Sequence, residues 1–131
     1  MLYEFEPSEH QEQVRFLKEF KARWPKVRII AIPNAGKRRG KTGARMVREG
    51  LESGVPDLFI PEWSTWIEMK VSSGGKLSKN QVDWIDHLQS IGHIVFVAKG
   101  CDDGIDKLLD LEYKRLNNNG FFQFECGDIV P

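Results

Sequence analysis

The sequence predicts a single α/β domain in which helices flank a mixed central sheet. Helical and strand-like segments alternate in the order helix, strand, helix, strand, strand, helix, strand, helix. The length of 131 residues suffices for one ordinary core but not for two. A composition of 40% hydrophobic and 29% charged residues is typical of a soluble globular domain. We therefore expect one sheet of four or five strands.

The first helix is predicted over 8–24, because Ser8 suits an N-cap and Pro25 ends the segment. At about 100° per residue, one apolar stripe of this helix contains Phe16, Leu17, Phe20 and Trp24. Glu9 falls on that stripe, as does Gln13, whereas Glu12 is expected to one side. An acid there either complements the helix dipole or points into a site.

Glycine, proline and serine clusters separate the remaining elements. The predicted elements are a strand over 28–32, a helix over 42–51, a strand over 57–60, a strand that contains 67–71, a helix over 78–90, a strand over 93–98, a helix over 102–116, and a segment over 121–124 that forms an edge strand or docks on the core.

Three ionisable groups are expected to meet where two of these strands pair. On the alternating strand, Glu68 and Lys70 share one face while Ile67 and Met69 share the other. A turn over 61–64 would bring Asp57 beside them. Two carboxylates at close range repel each other unless a divalent cation neutralises them, and such hard oxygen ligands suit Mg²⁺ or Mn²⁺. The sequence therefore predicts a catalytic metal site.

The same residues fit the hydrolysis of a phosphodiester. A metal held by Asp57 and Glu68 would polarise a phosphoryl oxygen, with the carbonyl of Met69 as a further ligand. Lys70 would orient the attacking water or stabilise the developing negative charge. Gln81 is expected to point inward from its helix. A Glu-x-Lys on a strand also arises by chance on exposed faces, so the prediction depends on the combination.

A basic run interrupts an otherwise neutral chain, whose formal net charge is zero. It contains Lys37, Arg38, Arg39, Lys41, Arg45 and Arg48 and no acid. Such a patch attracts phosphate even on a neutral protein, and we expect it to bind DNA. A solvated basic loop is the alternative interpretation.

Five segments together resemble the VRR-NUC family of the PD-(D/E)XK nuclease superfamily, in the family's order. They are Ile32-Pro33-Asn34-Ala35-Gly36-Lys37-Arg38, Thr42-Gly43-Ala44-Arg45, Gly54-Val55-Pro56-Asp57-Leu58, Ile67-Glu68-Met69-Lys70 and Leu77-Ser78-Lys79-Asn80-Gln81. The resemblance extends over about 8–109 of a single domain, and 110–131 form a C-terminal extension.

The resemblance implies roles for individual residues. Asp57 and Glu68 would be metal ligands, Lys70 the catalytic lysine and Gln81 the helix glutamine beside the site. Glu9 would match the acid of the family's first helix and join the metal ligands, although Glu12 is close enough to compete.

The resemblance also implies a restriction-endonuclease-like fold that cleaves DNA with Mg²⁺ or Mn²⁺. Short stand-alone members are similar to viral or prokaryotic proteins that form homodimers and resemble Holliday-junction resolvases. We therefore expect a structure-selective endodeoxyribonuclease that acts on branched or duplex DNA. A DNA-binding module of the same fold without catalysis is the alternative, and an enzyme that acts on RNA is less favoured because no RNA-binding aromatic motif is present.

The remaining residues carry weaker signals. Cys101 and Cys126 have no zinc or disulfide spacing, and the three histidines have no ligand spacing. Trp66 would either stack on a base or shield the edge of the site, and shielding is the favoured interpretation. With neither a membrane span nor a signal peptide in the sequence, we expect a cytoplasmic protein, in the host cytoplasm if viral. Candidate interface aromatics are Trp63, Trp66, Phe121, Phe122 and Phe124.

Overall fold

The computed structural model describes residues 5–33 and 40–117, without the side chains of 40–42 and 117. Its helices are α1 (Glu9–Arg23), α2 (Gly40–Arg48), α3 (Lys79–Ser90) and α4 (Cys101–Asn117). Its strands are β1 (Ile30–Ala31), β2 (Leu58–Ile60), β3 (Thr65–Lys70) and β4 (Ile94–Lys99). The predicted order of elements is confirmed. The segment over 121–124 lies outside the described residues.

The four strands form one mixed sheet in the order β1, β2, β3, β4. The first three strands are antiparallel, with Ile30 opposite Phe59 and Phe59 opposite Trp66. β4 is parallel to β3. A single 3₁₀ turn, Pro61–Trp63, joins β2 to β3, and α3 makes the crossover that a parallel pair requires. The mixed α/β fold predicted from the sequence is confirmed.

The two faces of the sheet have different partners. Ile67 and Met69 are completely buried in a core that also contains Phe16 and Phe20 of α1 and Leu108 of α4. Glu68 and Lys70 point to the opposite face, which α3 covers. Both faces of β3 are therefore covered, which places the ionisable residues of this strand in a protected environment.

Helices α1 and α3 begin with the same reciprocal motif. The Ser8 side chain accepts the backbone N–H of Gln11, and the Gln11 side chain accepts the backbone N–H of Ser8. Ser78 and Gln81 form the equivalent pair at α3. Each capping box satisfies two backbone donors that the helix leaves unpaired, and the predicted N-caps at Ser8 and Ser78 are confirmed.

The orientation predicted for Glu12 was wrong. Only 3% of Glu12 is exposed, because the buried face of α1 contains Glu12, Phe16 and Phe20, four residues apart. Leu17 and Trp24, which the predicted stripe included, are partly buried. The buried face of α1 therefore shares Phe16 and Phe20 with the predicted stripe but also includes Glu12.

Trp63 was wrongly predicted as an interface residue. It is buried in the core, where its ring lies edge-on to Phe20 at 5.7 Å and to Trp24 at 5.4 Å between ring centroids. The Cys101 thiol is also buried and free of any disulfide, and Cys126 lies outside the described residues. Among the described helices, none has both the length and the apolar character needed to cross a membrane.

Candidate active site

Asp57 connects the start of β2 to the C-terminal end of β3 through a hydrogen bond. It directly precedes β2, and its Oδ2 atom accepts the backbone N–H of Met69 at 2.8 Å. Its own carbonyl accepts the N–H of Ile32 at 2.7 Å, just beyond β1. Only 4% of Asp57 is exposed. The Pro-Asp segment is thus held at a fixed position beside Glu68, as predicted.

Glu68, Lys70 and Gln81 form a second group on the α3 face of the sheet. The Glu68 Oε2 atom accepts the Nε2 amide of Gln81 at 3.0 Å and lies 3.8 Å from the Lys70 ammonium. The Lys70 ammonium donates to Gln81 Oε1 at 3.3 Å. The inward orientation predicted for Gln81 is confirmed.

The capping box of α3 determines how the Gln81 amide is oriented. Gln81 Oε1 accepts the backbone N–H of Ser78 at 2.8 Å, so the amide nitrogen faces Glu68 and the oxygen also reaches Lys70. A side chain used to begin a helix therefore also positions a donor and an acceptor in the site.

Close packing between the Pro-Asp segment and α3 keeps these groups together. Gly54 has φ +94°, and a Cβ atom there would lie 2.5 Å from the backbone carbonyl carbon of Asn80. Only glycine allows the backbone before Asp57 to approach the first turn of α3 this closely. Gly54 thus has a structural role in bringing Asp57 near Gln81.

Burial and a neighbouring acid change the chemistry of Glu68. Only 2% of its surface is exposed. Desolvation, followed by the charge and hydrogen bond of Asp57, raises the pKa of Glu68 to about 9, with Glu9 adding to the effect and Lys70 opposing it. The buried carboxyl group of Glu68 therefore favours its neutral form when no cation is bound.

These residues fit a divalent cation. Two carboxylates, Asp57 and Glu68, are buried together, and the resulting penalty on the ionised Glu68 is one that a bound cation would relieve. The Met69 N–H points to Asp57, so its carbonyl lies on the same edge of β3. Within the described ranges, no three His, Cys, Asp or Glu side chains stand together as a ready metal-binding group.

The two competing acids of α1 differ in their contacts. Glu12 Oε1 accepts the backbone N–H of Cys101 at 3.0 Å and lies 3.3 Å from the Arg15 guanidinium. Glu12 therefore caps α4. Glu9 is half-buried and contributes to the raised pKa of Glu68, which places it within electrostatic reach of the site. The capping role of Glu12 and the electrostatic effect of Glu9 on Glu68 favour Glu9 as the site acid.

The basic run is only partly described. Lys37, Arg38 and Arg39 and the side chain of Lys41 lie outside the described residues. Arg45, on α2, is 73% exposed and forms an ion pair with Glu49 at 3.3 Å. The predicted DNA contacts therefore stay a prediction.

Comparison with known proteins then identifies the family. The family model of the VRR-NUC domain matches residues 8–102, which include every residue of the site. The chain belongs to the VRR-NUC family. A solved structure of a VRR_NUC domain protein is similar to this chain, with 25% sequence identity and a TM-score of 0.70. The alignment covers 94% of this chain and 97% of that chain. A comparison with curated proteins found no match.

The predicted resemblance is thereby confirmed. VRR-NUC is a nuclease family, so this chain carries a nuclease-type domain that processes DNA. The match ends at residue 102, at the start of α4. The site described above lies within the matched part of the VRR-NUC domain.

Proposed function

We propose that this VRR-NUC protein is a metal-dependent endodeoxyribonuclease that uses Mg²⁺ or Mn²⁺. The observation that carries the proposal is the burial of the Glu68 carboxyl group beside Asp57, with Lys70 at 3.8 Å. Each acid accepts a hydrogen bond, but burying two carboxyl groups side by side still disfavours their ionised forms. In a nuclease the carboxyl groups of Asp57 and Glu68 would serve as ligands of a divalent cation.

Asp57, Glu68 and the Met69 carbonyl would hold the cation, with Glu9 as the acid from α1. The bound metal would polarise a phosphoryl oxygen and acidify a water molecule. Asp57 is fixed by the Met69 N–H, so it needs little rearrangement to serve as a ligand. These assignments make the four residues the proposed metal site.

Lys70 and Gln81 would position the reacting groups. An ammonium has three N–H donors. In Lys70 they face Gln81 Oε1 and Glu68 Oε2, which leaves a donor for the attacking water or a phosphate oxygen. Gln81 holds both partners through one amide and thereby orients the lysine. In the reaction the water gives up one proton to solvent as its oxygen bonds to phosphorus, the bond to the leaving deoxyribose oxygen breaks, and that oxygen takes up a proton.

We further propose that the substrate is branched DNA, including Holliday-junction-like forms, and that the protein acts as a homodimer. Two sites related by a two-fold axis would address both strands of such a substrate. The basic run from Lys37 to Arg45 would hold the DNA backbone. We also propose that the protein acts in the cytoplasm.

The test is cleavage of labelled junction, flap, nicked and plain duplex DNA in Mg²⁺ or Mn²⁺. We expect Asp57→Ala and Lys70→Ala to abolish cleavage while DNA binding persists. Lys114→Ala is the matched control, since Lys114 pairs with Asp110 on the surface of α4, and it should cleave normally. Full activity in either site variant would refute the assignment, and binding by wild type without any metal-dependent product would favour a non-catalytic module.

A further inference from the structure

An aromatic surface adjoins the acids on the same face of the sheet. Phe59 and Trp66 are opposite each other on β2 and β3, and their ring centroids lie 4.2 Å apart with an interplanar angle of 32°. His93 lies beside both rings, at 6.1 Å from Trp66 and 6.3 Å from Phe59. We call these three side chains the aromatic shelf.

The shelf is fixed in place and partly open. The indole Nε1 of Trp66 donates to His93 Nδ1 at 3.1 Å, which sets the orientation of the Trp66 ring. All three side chains keep part of their surface exposed, and Ile30, opposite Phe59 on β1, is 48% exposed. A rigid ring that retains solvent access loses little conformational freedom when a ligand stacks on it.

The shelf is continuous with the proposed active site. Trp66 precedes Glu68 by two residues and Phe59 follows Asp57 by two residues, so both aromatic side chains share a face with the acids. Two residues of a strand span about 6.6 Å. A nucleotide next to one whose phosphate lies at the acids can therefore place its base over the shelf.

We propose that the aromatic shelf binds an unpaired nucleobase of the DNA substrate next to the phosphate that is cleaved. This inference rests on the proposed nuclease function. Aromatic side chains stack on bases without reading their sequence. Only a base outside a duplex has a free face, so the shelf would select DNA with unpaired nucleotides near the cleavage site.

A second copy of the chain is a less suitable occupant. A stable interface buries about 800 Å² on each partner, whereas an aromatic side chain offers about 150–250 Å². The three shelf residues are already mostly covered. The exposed remainder is therefore smaller than a protein interface requires.

DNA binding is measured in EDTA, which prevents metal-dependent cleavage, so that the affinity is obtained for intact DNA. Two probes are compared, a blunt duplex and the same duplex with a short unpaired tail. Trp66→Leu keeps an apolar side chain but removes the π face, so the preference for the tailed probe should fall about 5- to 150-fold. Trp84→Leu is the matched control, because Trp84 is a half-buried tryptophan of α3 that contacts His87 outside the shelf. It should keep the wild-type preference.

A set of tailed probes, each lacking one base of the tail, allows a double-mutant cycle between Trp66 and that base. Removing the base that occupies the shelf should weaken wild-type binding as much as Trp66→Leu does, and should have no further effect in that variant. Fully additive losses, or an unchanged preference in Trp66→Leu, would overturn the proposal. So would a wild-type dimer that Trp66→Leu converts to a monomer, since the shelf would then be an interface. Thermal unfolding of each variant verifies folding, and wild-type cleavage of junction and flap DNA in Mg²⁺ or Mn²⁺ tests the nuclease function independently.

Discussion

Glu68 shows how one residue links the fold to the proposed chemistry. The core that buries Ile67 and Met69 also fixes β3 in place, and the alternation of the strand then directs Glu68 toward α3 and Asp57. There the carboxyl group is favoured in its neutral form, with a pKa of about 9. Binding a divalent cation would favour the ionised form, so metal binding and proton release are expected to be coupled.

The raised pKa predicts that metal-free protein loses stability as the pH rises. An unfolded Glu68 titrates near the model value of 4.5 and the folded one near 9, so between these values the folded protein holds a proton that the unfolded chain has released. This contribution is complete below pH 4.5 and is lost toward pH 9. We expect the free energy of unfolding in EDTA to fall by on the order of 4 kcal/mol between pH 5 and 8.

Glu68→Gln supplies the control for this pH dependence. The amide has a similar shape and does not titrate, so its unfolding temperature should vary less between pH 5 and 8 than that of wild type. Above pH 7 the variant should be the more stable protein in EDTA. Parallel pH profiles for the two proteins, measured by thermal unfolding, would show that Glu68 is not protonated in the folded state.

Among the elements, the first turn of α3 combines two tasks. Its capping box begins the helix, and the same Gln81 side chain bonds to Glu68 and Lys70. The capping box of α1 is its structural equivalent, but Gln11 is exposed. The two motifs have the same local geometry but different surroundings. The same substitution at both positions therefore distinguishes an effect on helix capping from an effect on the active site.

Gln81→Glu should impair cleavage, whereas Gln11→Glu should not. Glutamate preserves a capping box at either position. At Gln81, however, it replaces the donor that faces Glu68 by a negatively charged acceptor. We expect the cleavage rate to fall about tenfold or more. Equal cleavage rates for the two variants, under conditions where both are folded, would assign Gln81 to helix capping alone.

Gly54 and Gly50 provide a similar comparison for the approach of the Pro-Asp segment to α3. Both have positive φ, but an added Cβ atom at Gly54 meets the Asn80 backbone whereas one at Gly50 meets nothing within 4 Å. Gly50→Ala should cost about 1 kcal/mol of stability from its backbone conformation. Gly54→Ala should cost about 3 kcal/mol, because a steric clash is added. Denaturant titration measures both, and similar losses would show that the backbone before Asp57 adjusts freely.

The sequence predicted the elements well where the signal comes from residues close together in the chain. Ser8 and Ser78 are N-caps, and the alternation around Glu68 describes its strand correctly. The burial of Glu12 was missed because it depends on the N-terminus of α4, which lies 89 residues away in sequence. The signal in the sequence that could have predicted this burial is the spacing of four residues between Glu12 and Phe16, which places both on one face of the helix. The pairing of Phe59 with Trp66 was also missed, because neither strand specifies its register alone.

For the whole molecule, the distribution of charge matters more than its sum. The formal net charge is zero, yet the run from Lys37 to Arg48 contains no acid. The acids Asp57 and Glu68 lie on the α3 face of the sheet, and α1 and α4 cover the opposite face. If the basic run holds DNA against the acids, charges on α1 and α4 should contribute little to binding.

This arrangement predicts how binding depends on salt. Replacing Lys37, Arg38 and Arg39 by alanine should weaken binding to all DNA sequences and flatten the plot of log affinity against log salt concentration. The slope should change by about 0.9 for each phosphate contact that is lost. Removing the same charge from Lys21, Arg23 and Lys114, on α1 and α4, should leave the slope near that of wild type. Both slopes come from titrations of one duplex at several salt concentrations, and an unchanged slope in the first variant would show that the basic run faces away from DNA.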